Sequence, residues 1–323
     1  MAMGGYNQLQ MNYFNSNIHP DAEKFQSARS ALYAYLEAEK VKKIYLPKYI
    51  CNSLLPILFD LSIEIIWYDI NLNLLPIFKP LLEPDERFLV VNYYGLISAE
   101  LEKFINGDRG YIVDNSQALF SQPLEGVVTI YSPRKFLPIP DGGFIYSHLK
   151  FTKIYEYYES EKYFAHLVLR GVGLVKEGYE LFKLAEQKFD DFKPKRMSKL
   201  SNKLIEYTDL DDIREKRKNN FEFLNKKLNH INELDIVRNA LVSTTHNIVP
   251  LCYPLMLKKN IDSIHAKLVS KDVFLPRYWA GDDLGNVGFL LYSNTLFLPI
   301  DERLSKKDLD FLVELILDDS ILQ

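Results

Sequence analysis

Between residues 27 and 150, short apolar runs alternate with stretches of helical periodicity, and nothing else in the chain restricts its fold as tightly. Residues 27–39 place Ala31, Leu32, Tyr35 and Leu36 on one helical face. A strand over 43–46, closed by Pro47, leads to a helix through Leu54, Leu55 and Leu58. A second strand covers 63–68. A third, 88–91, is apolar throughout, as expected of a strand covered on both faces. A helix over 101–105, a strand over 111–113 ending at Asp114, and strands over 127–131 and 144–146 complete the set. Such alternation predicts a mostly parallel sheet with helices on both sides. Ligands bind beyond the carboxyl ends of the strands in such a sheet.

The character changes after residue 150. Segments 155–163 and 179–192 are aromatic and charged and read as helices, and 209–228, long and free of Gly and Pro, reads as a connecting helix. The final hundred residues return to mixed α/β: a strand over 248–256, a helix over 261–269, a strand ending at 296–299 and a closing amphipathic helix over 306–317. Ser305 is a predicted N-cap, with Asp308 three residues on.

Composition excludes several classes of function. The net charge is −4 with charges of both signs interspersed, so no field favours nucleic acid or an anionic membrane. The basic cluster of Lys193, Lys195, Arg196, Lys199 and Lys203 reads as a solvated helix face. Cys51 and Cys252 stand far apart, which fits a reducing compartment and no disulfide framework. Six histidines are scattered without ligand spacing, so no metal site is expected. No apolar run approaches the ~18–20 residues of a membrane helix, and no signal peptide is visible. The expectation is a cytoplasmic protein of one large or two moderate domains.

Polar residues gather at three predicted strand ends: Asn92 to Gly95, Asp114 to Gln117, and Ser132 to Lys135. Lys135, on a turn followed by Asp141-Gly-Gly, suits an amine held in a cleft, with Asp114 at the end of the preceding strand opposite it, although taken alone it reads as a surface lysine in a turn. Pyridoxal phosphate (PLP) needs such a pair: a lysine to bond its aldehyde and a carboxylate to keep the ring nitrogen protonated. Asp114 reads equally as a helix N-cap, and Gln117, on the predicted helix start, could reach the ring's phenolic oxygen. Ser27, Ala28 and Arg29 open the first helix, where backbone N–H groups could seat a phosphate. Ordinary capping by Ser27, and a structural ion pair by Arg29, serve as well. Ser132 is a second hydroxyl candidate. Tyr93 and Tyr94 could line a pocket or pack in the core, and Arg277, Tyr278 and Trp279 could border the same cleft.

In this order and spacing, the segments SARSAL (27–32), LPKYIC (46–51), NYYG (92–95), DNSQALF (114–120), YSPRKFLPIPDGG (131–143) and FLPIDERLSKKDLDFL (297–312) resemble the DegT-type PLP-dependent aminotransferases of nucleotide sugars. The resemblance implies fold type I, with a large PLP-binding domain over 1–212 and a small carboxyl-terminal α/β domain over 213–323. It implies catalysis by Lys135 and Asp114, and cofactor binding by Ser27, Ala28, Arg29, Asp114, Gln117, Ser132 and Lys135. It also implies a homodimer that takes an amino group, from glutamate by analogy, to a keto sugar on a nucleoside diphosphate for polysaccharide or glycan assembly. Three departures stand out. The lysine turn is short, Cys51 falls where an aromatic residue often stacks on the ring, and the partner subunit's phosphate asparagine is not evident, leaving Arg196 as its substitute. These departures leave two alternatives: a non-catalytic member acting in binding or assembly, and another PLP-dependent reaction.

Overall fold

Ser27 sets the frame at its first turn. Its extended backbone ends β1 (Glu23–Phe25), and its hydroxyl accepts the N–H of Ser30 to start α1 (Ala28–Ala38). There follow β2 (Lys43–Pro47), α2 (Leu55–Asp60), β3 (Glu64–Tyr68), β4 (Glu86–Val91), α3 (Ser98–Ile105), β5 (Tyr111–Asp114), β6 (Val128–Tyr131) and β7 (Gly143–Tyr146). The computed structural model describes residues 7–240, 242 and 248–318, so His246 lies outside the described residues.

The strands form one seven-stranded sheet in the order β1-β7-β6-β5-β4-β2-β3. β2 to β6 are mutually parallel, and β7 runs antiparallel between β6 and β1. Every residue of β4, β5 and β6 is buried, the pattern of strands covered on both faces. The two charges at the start of β4 are neutralised there: Glu86 meets Lys43 at 2.7 Å and Arg87 meets Glu39 at 2.7 Å.

Beyond the sheet come α4 (Ala165–Gly171) and α5 (Val175–Gln187), a helical hairpin, then α6 (Lys199–Glu206) and α7 (Leu210–Leu228). The remainder comprises α8 (Asp235–Arg238), β8 (Tyr253–Met256), α9 (Asp262–Val269), α10 (Gly285–Asn294), β9 (Thr295–Leu298) and α11 (Lys306–Leu317). β8 and β9 pair antiparallel, and α7 packs on both β8 and α11. Ser305 and Asp308 form the full reciprocal capping box at the start of α11. No helix among the described residues is long and apolar enough to cross a membrane.

Three expectations are corrected. Segment 155–163 is not a helix; it holds a single 3₁₀ turn at Ser160–Lys162. Its backbone pairs instead with Arg196, whose N–H donates to Glu156 O at 2.7 Å and whose carbonyl accepts Tyr158 N–H at 2.8 Å. Tyr155 packs edge-on against Phe25, so aromatic packing outweighed helical propensity. The strand over 248–256 shortens to its last four residues. Pro250 has no N–H to give a ladder, and Leu251 donates to Tyr94 O at 2.9 Å and accepts from Arg217 at 3.1 Å. The basic cluster is not one helix face, since only Lys199 and Lys203 lie on α6. Lys193 pairs with Asp60 at 2.6 Å, Lys195 with Asp191 at 3.0 Å, and Arg196 with Glu23.

Candidate functional site

Because β1, β2, β4, β5 and β6 run the same way, Phe25, Pro47, Val91, Asp114 and Tyr131 all leave the sheet at one edge. α1 starts against that edge through two glycines. Gly142 adopts φ +146 and donates to Gln26 O at 2.7 Å. At Gly143 an added Cβ would lie 1.9 Å from the carbonyl carbon of Ser27 and 2.1 Å from the nitrogen of Ala28. Only glycine lets the first turn of α1 lie directly on β7. Ser27 takes its capping role, accepting Ser30 N–H at 3.1 Å and sharing a hydrogen bond with Ser30 Oγ at 2.9 Å. Ala28 N–H faces Gly142 O across the parallel bridge between Ser27 and Gly142, while the N–H of Arg29 has no acceptor among the described residues.

Asp114 is buried at the end of β5, opposite Val91 of β4 and Ile130 of β6. Its Oδ1 accepts Ser116 N–H at 2.8 Å, so it caps a turn, and no helix begins there. Gln117 accordingly sits in that turn and not on a helix start. Its Oε1 accepts Tyr94 N–H at 2.9 Å, while its buried Nε2 has no acceptor. The turn after β4 makes this contact by visiting the left-handed region at Tyr94 (φ 58) and Gly95 (φ 75). A Cβ on Gly95 would come within 2.9 Å of Gln117 O. Asn92 binds the same two turns together, donating to Asn115 Oδ1 and Ser98 Oγ at 2.9 Å each. Tyr93 and Tyr94 are wholly buried, core residues and not pocket lining.

Ser132 follows β6 half-buried, and Pro133–Lys135 form a 3₁₀ turn closed by Lys135 N–H on Ser132 O at 3.2 Å. Buried Phe136, Leu137 and Ile139 anchor what comes next, leaving the Lys135 side chain exposed, its amine with no hydrogen bond or ion pair among the described residues. The amine and Asp114 thus stand at the ends of adjacent parallel strands, the lysine five residues past the one that pairs with Asp114. Arg29 is half-buried near Cys51, Asp190, Glu186 and Arg134. Burial is the chief influence that lowers its pKa, the thiol and acids oppose it, and Arg134 adds to it. Arg134 bonds Glu186 of α5 and lies 4.1 Å from the Phe189 ring centroid.

The carboxyl-terminal part closes one side of this edge. Trp279 packs on Tyr49 at 5.0 Å between centroids and on Tyr93 at 6.1 Å, and Tyr49 donates to Tyr278 O. Arg277 turns elsewhere, to Asp262 and to Tyr292 O. Cys51 is half-buried, 3.1 Å from Ser53 Oγ. Arg196, the expected substitute for a partner asparagine, is held by Glu23 over Phe25.

The sequence reading placed Asp141 in the lysine motif without seeing its structural bonds, and it did not single out Arg217. Asp141 is buried and accepts Ser198 N–H at 2.8 Å, Ser198 Oγ at 2.6 Å and Ser201 Oγ, fixing the cap of α6. Burial pushes its carboxyl pKa up, against those hydrogen bonds. Arg217 is buried on α7, with its guanidinium 4.8 Å from the Phe136 ring and its Nε unpartnered. Its spacing from Ile213, Phe221 and Leu224, on the buried face of the helix, is the signal that could have found it.

No protein-family model matches the chain, and no curated relative matches its sequence. In structure it is similar to Spr1654 from Streptococcus pneumoniae, a putative sugar aminotransferase (TM-score 0.61, 12% identity, 93% of this chain and 87% of that one). It is also similar to the aminotransferase TlmJ from Streptoalloteichus hindustanus (0.61, 15%, 91% and 84%). A third similar structure is NtdA from Bacillus subtilis, solved with bound cofactor PMP (0.64, 14%, 94% and 73%). At these identities the likeness shows the fold, the type I α/β architecture.

Proposed function

We propose that this chain is a PLP-dependent aminotransferase that moves an amino group, with glutamate as donor, onto a nucleotide-linked keto sugar for polysaccharide or glycan assembly. The observation that carries the proposal is the pairing of Asp114 and the Lys135 turn at adjacent strand ends, in a fold shared with sugar aminotransferases. Two further features fit the cofactor. Among the described residues Gln117 keeps a buried amide donor with nothing to receive it, and the first turn of α1 keeps the Arg29 N–H open where glycines let it reach the edge. When bound, PLP supplies an electron sink for the carbon that bears the amine.

The chain's own residues divide the remaining work. Asp114 would hold a proton at the ring nitrogen, and Gln117 Nε2 would donate to the phenolic oxygen. The helix start at Ala28 and Arg29, with the hydroxyls of Ser27 and Ser132, would receive the phosphate at the dipole-positive helix end. Lys135 would hold the cofactor through its amine, and the same amine would carry the proton to and from the reacting carbon. Its exposed position in a single chain supports a homodimer whose second subunit would cover it. The proposed division at residues 212 and 213 falls within α7, which packs on the elements after it. A cytoplasmic setting completes the proposal.

The test is borohydride reduction of the chain with PLP, followed by peptide mapping. Label is expected on Lys135 and absent from Lys135→Ala. Transfer of ¹⁵N from glutamate to keto-sugar nucleotides then tests the substrate class. Capture at Lys135 without any transfer from an amino acid would favour a binding role instead.

A further inference from the structure

α5 is held to the body of the protein by few contacts. Of its thirteen residues only Gly178 and Ala185 are buried, while Val175, Tyr179 and Leu184 are exposed. Its carboxyl end is clipped down by one charged contact, Glu186 to Arg134, backed by Phe189 beneath the guanidinium. Glu186 sits in the last turn of the helix, where the dipole disfavours an anion and where no basic residue stands. Local helix energetics therefore argue against a glutamate at this position, and its place is explained by what it touches. Arg134 immediately precedes Lys135, and Arg29 lies near enough to feel both Arg134 and Glu186. Two arginines thus stand close together beside the Lys135 turn, with acids from the α5 end as their counter-charges.

We propose that Arg134 is an anion-recognition residue of this cleft and that Glu186 is its resident counter-ion, displaced when a phosphorylated ligand arrives. The proposal rests on reading the cleft as a phosphate-ester cofactor site. A guanidinium fork pairs with carboxylate and with phosphate alike, and near neutral pH a phosphate monoester carries close to twice the charge of Glu186. The two compete for Arg134, and the winner sets whether the α4–α5 hairpin stays clipped. Ligand occupancy and hairpin attachment are then coupled in both directions.

The probe is inorganic phosphate with the full chain, and the variant is Glu186→Gln. Phosphate is expected to raise hydrogen exchange across residues 175–190 in the unaltered chain. Glu186→Gln should bind phosphate about five-fold or more tightly, and Arg134→Lys, which keeps the charge without the fork, should bind it more weakly. A purely structural clip would loosen the hairpin in Glu186→Gln and leave phosphate affinity unchanged; that result overturns the proposal, as does exchange that ignores phosphate. Borohydride capture at Lys135 reports separately on the cofactor reading. Capture with no effect of Glu186→Gln sinks only the counter-ion, and the reverse outcome sinks only the cofactor.

Discussion

Gln117 accepts the backbone N–H of Tyr94 at 2.9 Å, and this bond fixes which way its amide points: the oxygen faces the turn and the buried nitrogen is left without an acceptor. The residue therefore has two separable roles. Gln117→Leu removes the acceptor for a buried N–H and should cost about 1–3 kcal/mol in urea unfolding. Gln117→Glu keeps that acceptor and removes the free donor. Burying a carboxyl there should itself cost stability, so PLP affinity, followed by absorbance titration, is compared on the folded protein, where it should fall about ten-fold, the equivalent of roughly 1.4 kcal/mol. Equal PLP affinity in parent and Gln117→Glu would remove Gln117 from the proposed site.

The contact between Gly143 and the start of α1 allows a sharper test, because the obstructing atoms are main chain and cannot rotate away. Gly143→Ala should destabilise the protein by about 3 kcal/mol or more in urea unfolding, and weaken PLP binding by moving Ala28 and Arg29. Gly171 is the control. It ends α4, an added Cβ meets nothing within 4 Å, and alanine there should be neutral or stabilising by up to about 1 kcal/mol.

These two sites show what could be read from the chain and what could not. The strand ends were legible because β4, β5 and β6 each finish in an apolar run that a polar residue stops: Phe88 to Val91 before Asn92, Tyr111 to Val113 before Asp114, and Ile130 with Tyr131 before Ser132. The conformation just beyond them was not. Asp114 bonds Ser116 N–H as an N-cap would, yet the chain beyond it makes turns and not the helix that its spacing to Gln117 suggested. α10 was hidden for a tertiary reason. Gly288 lowers its helical propensity, yet an added Cβ there would stand 2.9 Å from Tyr49 Cβ, so the glycine exists for close packing. β1, only three residues long, has too short a period to detect, and its edge is completed by Arg196 from far along the chain. The direction of Arg134 was equally hidden, since Glu186 and Phe189 meet it only in the folded molecule.

Asp141 looked like part of a cofactor-lysine motif, but its bonds are all to the start of α6. Asp141→Ala would leave the Ser198 N–H and two hydroxyls facing a cavity, at a cost of about 3 kcal/mol in chemical unfolding. Asp141→Asn keeps one acceptor and should cost less. Borohydride capture at Lys135, measured where each variant is still folded, should persist in both. Loss of capture in a folded Asp141→Asn would return this residue to the site.

His19 carries the clearest pH dependence. Its ring lies 4.0 Å from that of Tyr131, and its Nε2 is 2.6 Å from Leu119 O. Burial lowers its pKa below the ordinary 6.5, Leu119 O opposes that shift, and Lys24 adds to it. The unfolded chain therefore binds a proton at His19 more readily than the folded one does. In the window from about 6.5 down to the lowered folded value, stability must fall as pH falls. Above that window the residue is neutral in both states and contributes no slope. The thermal midpoint should thus decline on acidification from pH ~6.5, and His19→Gln, whose amide can still donate to Leu119 O, should flatten that decline. An unchanged slope in the variant would assign the acid sensitivity to another group.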